Sequence, residues 1–134
     1  MTWEYVAGFF DGEGNICNTK GSGGFSPRWS VVQQDDRGKK VLEAIQAFLA
    51  LAGIKSYLGK SRMRTERILW KLNVGSREQF EHIATKLMPY VYVKKLELQD
   101  TLRYLRAFPS LNKGTALGNR MRGIPKKQYR GKAF

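Results

Sequence analysis

Hydrophobic and polar positions follow two different periods along the first third of the chain. Apolar residues at helical spacing occupy 3–10, and the glycines on both sides of Glu13 end this predicted helix. Two extended stretches follow at 15–20 and 25–34. The glycine-rich segment 21–24 joins them, which predicts a β-hairpin.

Alternation within the strands divides their side chains between two faces. Trp29 and Val31 share an apolar face that we expect to contact the core, and Ile68, Trp70, Leu72 and Val74 share the corresponding face of a later strand. The opposite face is mostly polar. It comprises Asn15, Cys17 and Thr19, then Arg28, Ser30 and Val32, then Arg67, Leu69, Lys71 and Asn73.

The remaining pattern predicts three helices and a second strand pair. An apolar stripe over 35–52 predicts a helix that Gly53 ends, and the strand pair follows at 56–60 and 67–74. Ser76 and Gln79 have the spacing of a capping box at the start of the next helix, Pro89 separates it from the last one, and the last ends before Pro109. The order α-β-β-α-β-β-α-α defines an α+β class of fold.

Charge separates the chain into a predicted domain, 1–109, and a basic C-terminal tail, 110–134. The 134 residues include 24 Lys and Arg against 11 Asp and Glu, which gives a net charge of +13. Seven basic residues and no acidic ones fall in the tail. Such an excess of positive charge in a small domain points to a polyanionic partner, most often nucleic acid.

Several function classes are excluded by composition. One cysteine and one histidine provide neither an internal disulfide nor a zinc site built from several such ligands. No apolar run is long enough to span a bilayer, and no basic segment precedes an apolar one at the N-terminus. We therefore expect an intracellular protein that is not secreted and has no membrane partner.

The segment Val6-Ala7-Gly8-Phe9-Phe10-Asp11-Gly12-Glu13-Gly14 resembles the signature of the LAGLIDADG homing endonucleases, in their single-motif, homodimeric form. A helix, an acid-Gly-acid-Gly sequence and an immediate hairpin agree with that family in order and spacing. The resemblance implies the family's α-β-β-α-β-β-α fold with a curved antiparallel four-stranded sheet, here followed by an extra C-terminal helix and the basic tail.

Small residues on one side of the first helix suit a close helix-helix contact. Ala7, Gly8 and Gly12 are such residues, and because the chain has one such helix, its partner must come from a second copy. We therefore predict a two-fold homodimer. Two Glu13 carboxylates side by side repel unless they hold divalent cations, and their hard oxygen ligands suit Mg²⁺, for which Mn²⁺ is a possible substitute.

The resemblance also assigns roles to individual positions. Glu13 matches the metal-binding acid of the family, the Gly12 carbonyl matches a backbone metal ligand, and Asp11 matches a structural acid that caps the partner's helix end. Further catalytic positions are Gln33, with Gln34 as the alternative, Arg37 near the scissile phosphate, and Lys94, with Lys95 as the alternative.

We expect the sheet to hold double-stranded DNA in its major groove through the polar strand face, because arginine and asparagine read base edges there. The predicted base-facing residues are Asn15, Thr19, Arg28, Ser30, Arg67, Lys71 and Asn73. Phosphate contacts are assigned to Lys20, Lys60, Arg62, Arg64 and the basic residues of the tail.

The resulting functional hypothesis is a site-specific DNA endonuclease. It would hydrolyse phosphodiester bonds in both strands of a long, near-palindromic site, with Mg²⁺ as cofactor. Two alternatives stay open at this point. One is a catalytically inactive DNA-binding regulator on the same fold, and the other is a maturase that binds the RNA of its host intron.

Overall fold

The computed structural model describes residues 1–21, 24–61 and 67–107, and the side chains of 18–21, 24–25 and 61 are outside this description. The described chain forms four helices and four strands. In order they are α1 (Trp3–Glu13), β1 (Gly14–Gly21), β2 (Gly24–Gln34), α2 (Asp35–Leu51), β3 (Tyr57–Ser61), β4 (Leu69–Val74), α3 (Arg77–Leu87) and α4 (Lys95–Ala107). The α+β class and the predicted order of elements are confirmed.

The strands form one antiparallel sheet in the order β1-β2-β4-β3. Its register aligns one residue from every strand across the sheet, since Asn15 pairs with Ser30, Ser30 with Asn73, and Asn73 with Tyr57. Side chains that are neighbours across a register point to the same face. This row therefore marks the face that the sequence analysis predicts to be polar.

The hydrophobic core lies on the other face of the sheet, where all four helices contact β2. The strands bury Ile16, Trp29, Val31, Leu72 and Val74 there. Trp29 stacks on Phe10 of α1, with ring centroids 5.3 Å apart. The apolar alternation thus decides which face of the sheet the helices cover.

Helix α1 is fixed at both ends by local contacts. Thr2 is the N-cap, and its side chain accepts a hydrogen bond from the Tyr5 amide at 3.1 Å. At the other end the Phe10 ring lies against Gly14, where a Cβ atom would meet Phe10 Cδ1 at 2.1 Å. Only glycine fits this position, so β1 can leave the helix directly after Glu13.

The capping box predicted for α3 is half formed. Ser76 accepts a hydrogen bond from the Gln79 amide at 3.2 Å, as expected. The Gln79 side chain does not complete the box, because its Oε1 accepts instead from the Lys55 amide at 2.8 Å. A tertiary contact between α3 and the chain before β3 has replaced the local one.

Helix α4 is held on α3 by two arginines. The Arg77 guanidinium donates to the Leu105 carbonyl oxygen at 2.7 Å, and Arg106 forms an ion pair with Glu81 at 2.9 Å. Burial lowers the pKa of Arg77, against the attraction of Glu81, which raises it. These contacts fix the direction of α4 and thereby the position of the segment that precedes it. None of the helices in the described part has the length and apolar character of a membrane span.

Candidate active site and nucleic-acid face

Glu13 is the last residue of α1, and its side chain is exposed. Within the described ranges the Glu13 carboxylate takes part in no hydrogen bond or ion pair. Gly12 before it is also exposed. The carboxylate that the motif identifies is therefore available to a ligand outside the subunit.

Asp11 is engaged, in contrast. Its carboxylate accepts hydrogen bonds from the backbone amides of Tyr92 at 2.8 Å and Lys94 at 3.0 Å. The resemblance assigns Asp11 to the cap of a partner's helix end, and this assignment stays a prediction. In the described chain the Asp11 carboxylate holds the turn that precedes α4.

The same turn brings Lys94 to the end of α1. Its Nζ donates to the Asp11 backbone carbonyl at 2.6 Å and lies 5.8 Å from the centroid of the Phe10 ring. A cation beside the last carbonyls of a helix is favoured by the helix dipole. Lys94 therefore lies within the motif region, whereas its alternative Lys95 begins α4.

Gln33 and Arg37 belong to the same end of the sheet as Glu13. Gly14 pairs with Val31, two residues before Gln33, and Arg37 lies in the first turn of α2, which follows β2 directly. Gln33 follows Trp29 and Val31 at every second position of β2. Its side chain therefore faces the same side of the sheet, on which α1 packs. The alternative Gln34 faces the other side, where its Oε1 accepts from Arg67 at 3.3 Å.

The exposed side of α1 differs in one position from the predicted helix seam. Ala7 is 0% exposed and packs in the core of its own subunit, so it does not contribute to an outer surface. Gly8 and Gly12 are exposed, and a Cβ atom at either would meet no described atom within 4 Å. Packing within the described subunit therefore gives no reason for glycine at these two positions.

The polar face of the sheet follows the predicted register, but its side chains are unequally accessible. Ser30 is 1% exposed, and its hydroxyl donates to the Asn15 carbonyl at 3.4 Å. It is enclosed by its neighbours in the row, so it cannot reach a base without moving, contrary to the expectation for this residue. Asn15 is exposed and donates through Nδ2 to Cys17 Sγ at 3.0 Å. Arg28 is exposed, and Lys71 and Asn73 are half-buried.

Lys60 lies on the opposite face from Lys71. It pairs with Trp70, and its Nζ lies 5.5 Å from the centroid of that ring, with the Lys39 Nζ at 4.4 Å. Thr19 and Lys20 are in β1, but their side chains lie outside the description, as do Arg62, Arg64 and the tail.

Two glycines that support the site are absent from the sequence-based assignment. Gly14 accepts the Phe10 ring, and Gly38 lies against Gln33, whose Cβ would be 2.6 Å from a Cβ at position 38. Gly14 is the last residue of the motif, so the sequence already indicated that this position matters. Gly38 lies within a helix, and nothing in the sequence pattern indicates its close contact with a strand. Tyr57, an exposed aromatic residue of the polar face, is also absent from that assignment.

The described residues of the chain do not by themselves form a complete metal site. Over residues 1–21, 24–61 and 67–107, no group of three or more His, Cys, Asp or Glu side chains comes together. Glu13 is a hard oxygen donor of the type that Mg²⁺ prefers, and it has no competing partner there. The donor chemistry thus fits a divalent cation, provided that further ligands come from outside the described residues.

Comparison with known proteins identifies the family. The model of the LAGLIDADG-like domain matches residues 3–88, which include α1 and the whole sheet. The chain belongs to this family. No curated protein sequence matches it.

Solved structures of homing endonucleases share the fold. The structure of I-CvuI with its target in the presence of Ca has a TM-score of 0.65 at 16% identity, over 97% of this chain and 90% of that one. I-CvuI with the I-CreI target in the presence of Mg gives 0.59 at 18% identity, over 75% and 63%. I-GzeII in complex with its DNA target gives 0.58 at 16% identity, over 98% of this chain and 48% of that one.

Proposed function

We propose that this protein is a site-specific DNA endonuclease that acts as a homodimer with Mg²⁺. It hydrolyses phosphodiester bonds in both strands of a long, near-palindromic duplex, inside a cell. The observation that carries the proposal is the outer side of α1. There an uncovered Gly8 and Gly12 lead along the helix to an exposed Glu13.

The homodimer is supported by an exposed apolar patch beside that helix face. Tyr92, Val93 and Leu96 are 85%, 78% and 75% exposed, and the Tyr92 amide is bonded to Asp11 of α1. Three large apolar side chains exposed within five residues are typical of an interaction surface. Because the patch continues the glycine side of α1, a second copy that packs on one also covers the other.

Such a dimer brings two Glu13 carboxylates together at the ends of the paired helices. Two like charges in one place favour the binding of divalent cations, which Glu13 and the Gly12 carbonyl of each subunit would hold. When bound by these residues, a divalent cation would supply an activated water molecule and would stabilise the leaving oxygen of a phosphodiester. Mn²⁺ is a possible substitute for Mg²⁺.

The neighbouring polar residues stabilise charge in this proposal. Lys94 is already held at the end of α1, where its ammonium can stabilise negative charge on the phosphate. Gln33 orients water from the end of β2, and Arg37 contacts the phosphate from the first turn of α2. Asp11 has no direct part, because its carboxylate holds the backbone that positions Lys94.

DNA as the partner is supported by the net charge of +13 and by the polar face opposite the core. The major groove admits a two-stranded β-ribbon, and Arg28 and Lys71 lie on that face. Arg62, Arg64, Lys20 and the tail are proposed to contact phosphates, which supplies affinity with little sequence information. The phosphate contact predicted for Lys60 is not included, because Lys60 faces the helical side.

The test is cleavage of the uninterrupted insertion site that flanks the host intron or intein, with Mg²⁺ present. Wild type should cut both strands, whereas Glu13→Gln should bind the same site and cut neither strand. Glu43→Gln is the control, because Glu43 is an exposed acid of α2, away from the glycine side of α1, and it should cut as wild type does.

Three other outcomes would contradict the proposal or one part of it. Specific binding without cleavage by wild type identifies a DNA-binding regulator on this fold. Tighter binding to the host intron RNA than to the DNA site identifies a maturase. A monomer in sedimentation at micromolar concentration, both free and on DNA, would contradict the homodimer.

A further inference from the structure

Tyr57 occupies the outer position of the residue row that crosses all four strands on the polar face. It lies on β3 and pairs with Asn73, which pairs with Ser30. Its side chain is 73% exposed, although it is a large aromatic residue in an otherwise polar row. We propose that Tyr57 determines sequence specificity by contact with a thymine, an inference that rests on the proposed DNA-binding function.

The orientation of the ring supports this role. A Cβ atom at Gly59 would lie 3.2 Å from Tyr57 Cε1 and 3.8 Å from Cδ1. The ring therefore leans along its own strand, over the position that the missing side chain of Gly59 leaves open. Because Tyr57 pairs with Asn73 and Gly59 pairs with Lys71, the ring presents an apolar surface on β3 beside Lys71 and Asn73 of β4.

The other members of the row are less able to reach a base. Ser30 is buried, and Asn73 is half-buried, with its Oδ1 enclosed and without a hydrogen-bond partner in the described part of the chain. Asn15 is exposed, but its amide already donates to Cys17. Tyr57 is thus the most prominent side chain of the row toward a bound duplex.

The chemistry of the major groove identifies what such a surface recognises. Four base-pair orientations differ there in donors and acceptors, and the one apolar feature among them is the C5-methyl group of thymine. An exposed ring beside a lysine and an asparagine matches this methyl group. The Tyr57 hydroxyl is not needed for the contact, which separates this role from a hydrogen bond to a phosphate.

The test is selection of binding sites from a randomised duplex pool in the absence of Mg²⁺, followed by sequencing. Wild type should select thymine at one position in each half-site. In Tyr57→Ala the selectivity for thymine over the other bases at that position should fall by about 5- to 50-fold. The base preferences at the other positions of the site should be unchanged. Tyr57→Phe should retain it, because the methyl contact is apolar. Leu51→Ala is the control, since Leu51 is an exposed apolar residue at the end of α2, away from the polar face.

The results that overturn the inference are distinct from failure of the proposed function. If wild type selects a site and Tyr57→Ala selects the same site with equal preference at every position, Tyr57 has no role in specificity. If Tyr57→Phe weakens binding equally for all sequences, the residue contacts a phosphate through its hydroxyl. If wild type selects no sequence, the proposed site-specific function fails and this inference fails with it.

Discussion

Asp11 and Glu13 are two acids separated by one glycine, and at the scale of single residues they differ in what holds their carboxylates. The Asp11 carboxylate accepts hydrogen bonds from two backbone amides of the turn before α4. The Glu13 side chain is exposed and has no such partner in the described ranges. Hydrogen bonds to a charged acceptor are stronger than neutral ones. The first acid therefore contributes to the stability of the fold, whereas the carboxylate of the second has no such role among the described residues.

We predict that Asp11→Ala destabilises the protein by about 1–3 kcal/mol, because two amides and the Lys94 turn lose their acceptor. Urea unfolding followed by circular dichroism measures the change. The control is Asp100→Ala, which removes an exposed acid whose contact with Arg103 spans 3.6 Å. This substitution should lower the free energy of unfolding by less than about 0.5 kcal/mol, because exposed ion pairs contribute little. Equal losses in the two variants would contradict the role of Asp11.

Sequence reasoning predicted correctly the residues whose environment depends only on the alternation of side chains along a strand. This alternation predicts that Trp29 and Val31 are buried and that Arg28 lies opposite them, and the structure agrees. The alternation does not predict that Ser30 is enclosed, since this depends on the neighbours Asn15 and Asn73 in other strands. The motif marks Asp11 as a structural acid, but it does not predict the own-chain partners of the Asp11 carboxylate, which are 81 and 83 residues away in sequence.

At the scale of elements, α1 depends on two kinds of glycine. Gly14 is required by its own subunit, since a Cβ would overlap the Phe10 ring. Gly8 is not, because nothing described lies within 4 Å of such an atom. The motif alone shows a small residue at both positions and does not distinguish an internal contact from an external one.

We predict opposite effects for the two alanine substitutions. Gly14→Ala should destabilise the folded subunit by about 1–3 kcal/mol, since the Phe10 ring must move within a packed core. Gly8→Ala should leave the subunit as stable or raise its stability by up to about 1 kcal/mol, because alanine favours a helix. Thermal unfolding measures both effects, and sedimentation should show that Gly8→Ala dissociates at higher concentration than wild type. A Gly8→Ala protein that dimerises as tightly as wild type would contradict the proposed seam.

The ends of helices α2 and α3 show which features can be predicted from the neighbouring residues in sequence alone. Helix α2 ends before Gly53, which has a φ of +80°, as the sequence predicts for a glycine after an apolar stripe. The capping box of α3 was predicted from spacing too, but Gln79 bonds to Lys55 instead. A glycine at positive φ is a property of one residue. The direction of a long side chain depends on what the rest of the fold places beside it.

At the scale of the whole molecule, the sheet divides the protein into a helical side and an open polar face, and the single cysteine lies on the open face. Cys17 pairs with Arg28 in the register of β1 and β2 and is half-buried. Since no other thiol is present, its reaction with a maleimide reports on this face alone. The alternation of apolar and polar residues in the strands predicted this division, whereas the net charge predicted a polyanionic partner without indicating where it binds.

We predict that saturating duplex DNA slows the alkylation of Cys17 by about tenfold or more, because DNA held on the polar face covers the thiol. Mass spectrometry at fixed times measures the labelled fraction. The matched control is a Cys17→Ser protein with Asp100→Cys, which moves the thiol to an exposed position of α4, on the helical side. That thiol should react equally fast with and without DNA. If Cys17 keeps its free rate while a mobility shift shows complete binding, the duplex lies elsewhere on the molecule, and the basic residues assigned to the open face serve another purpose.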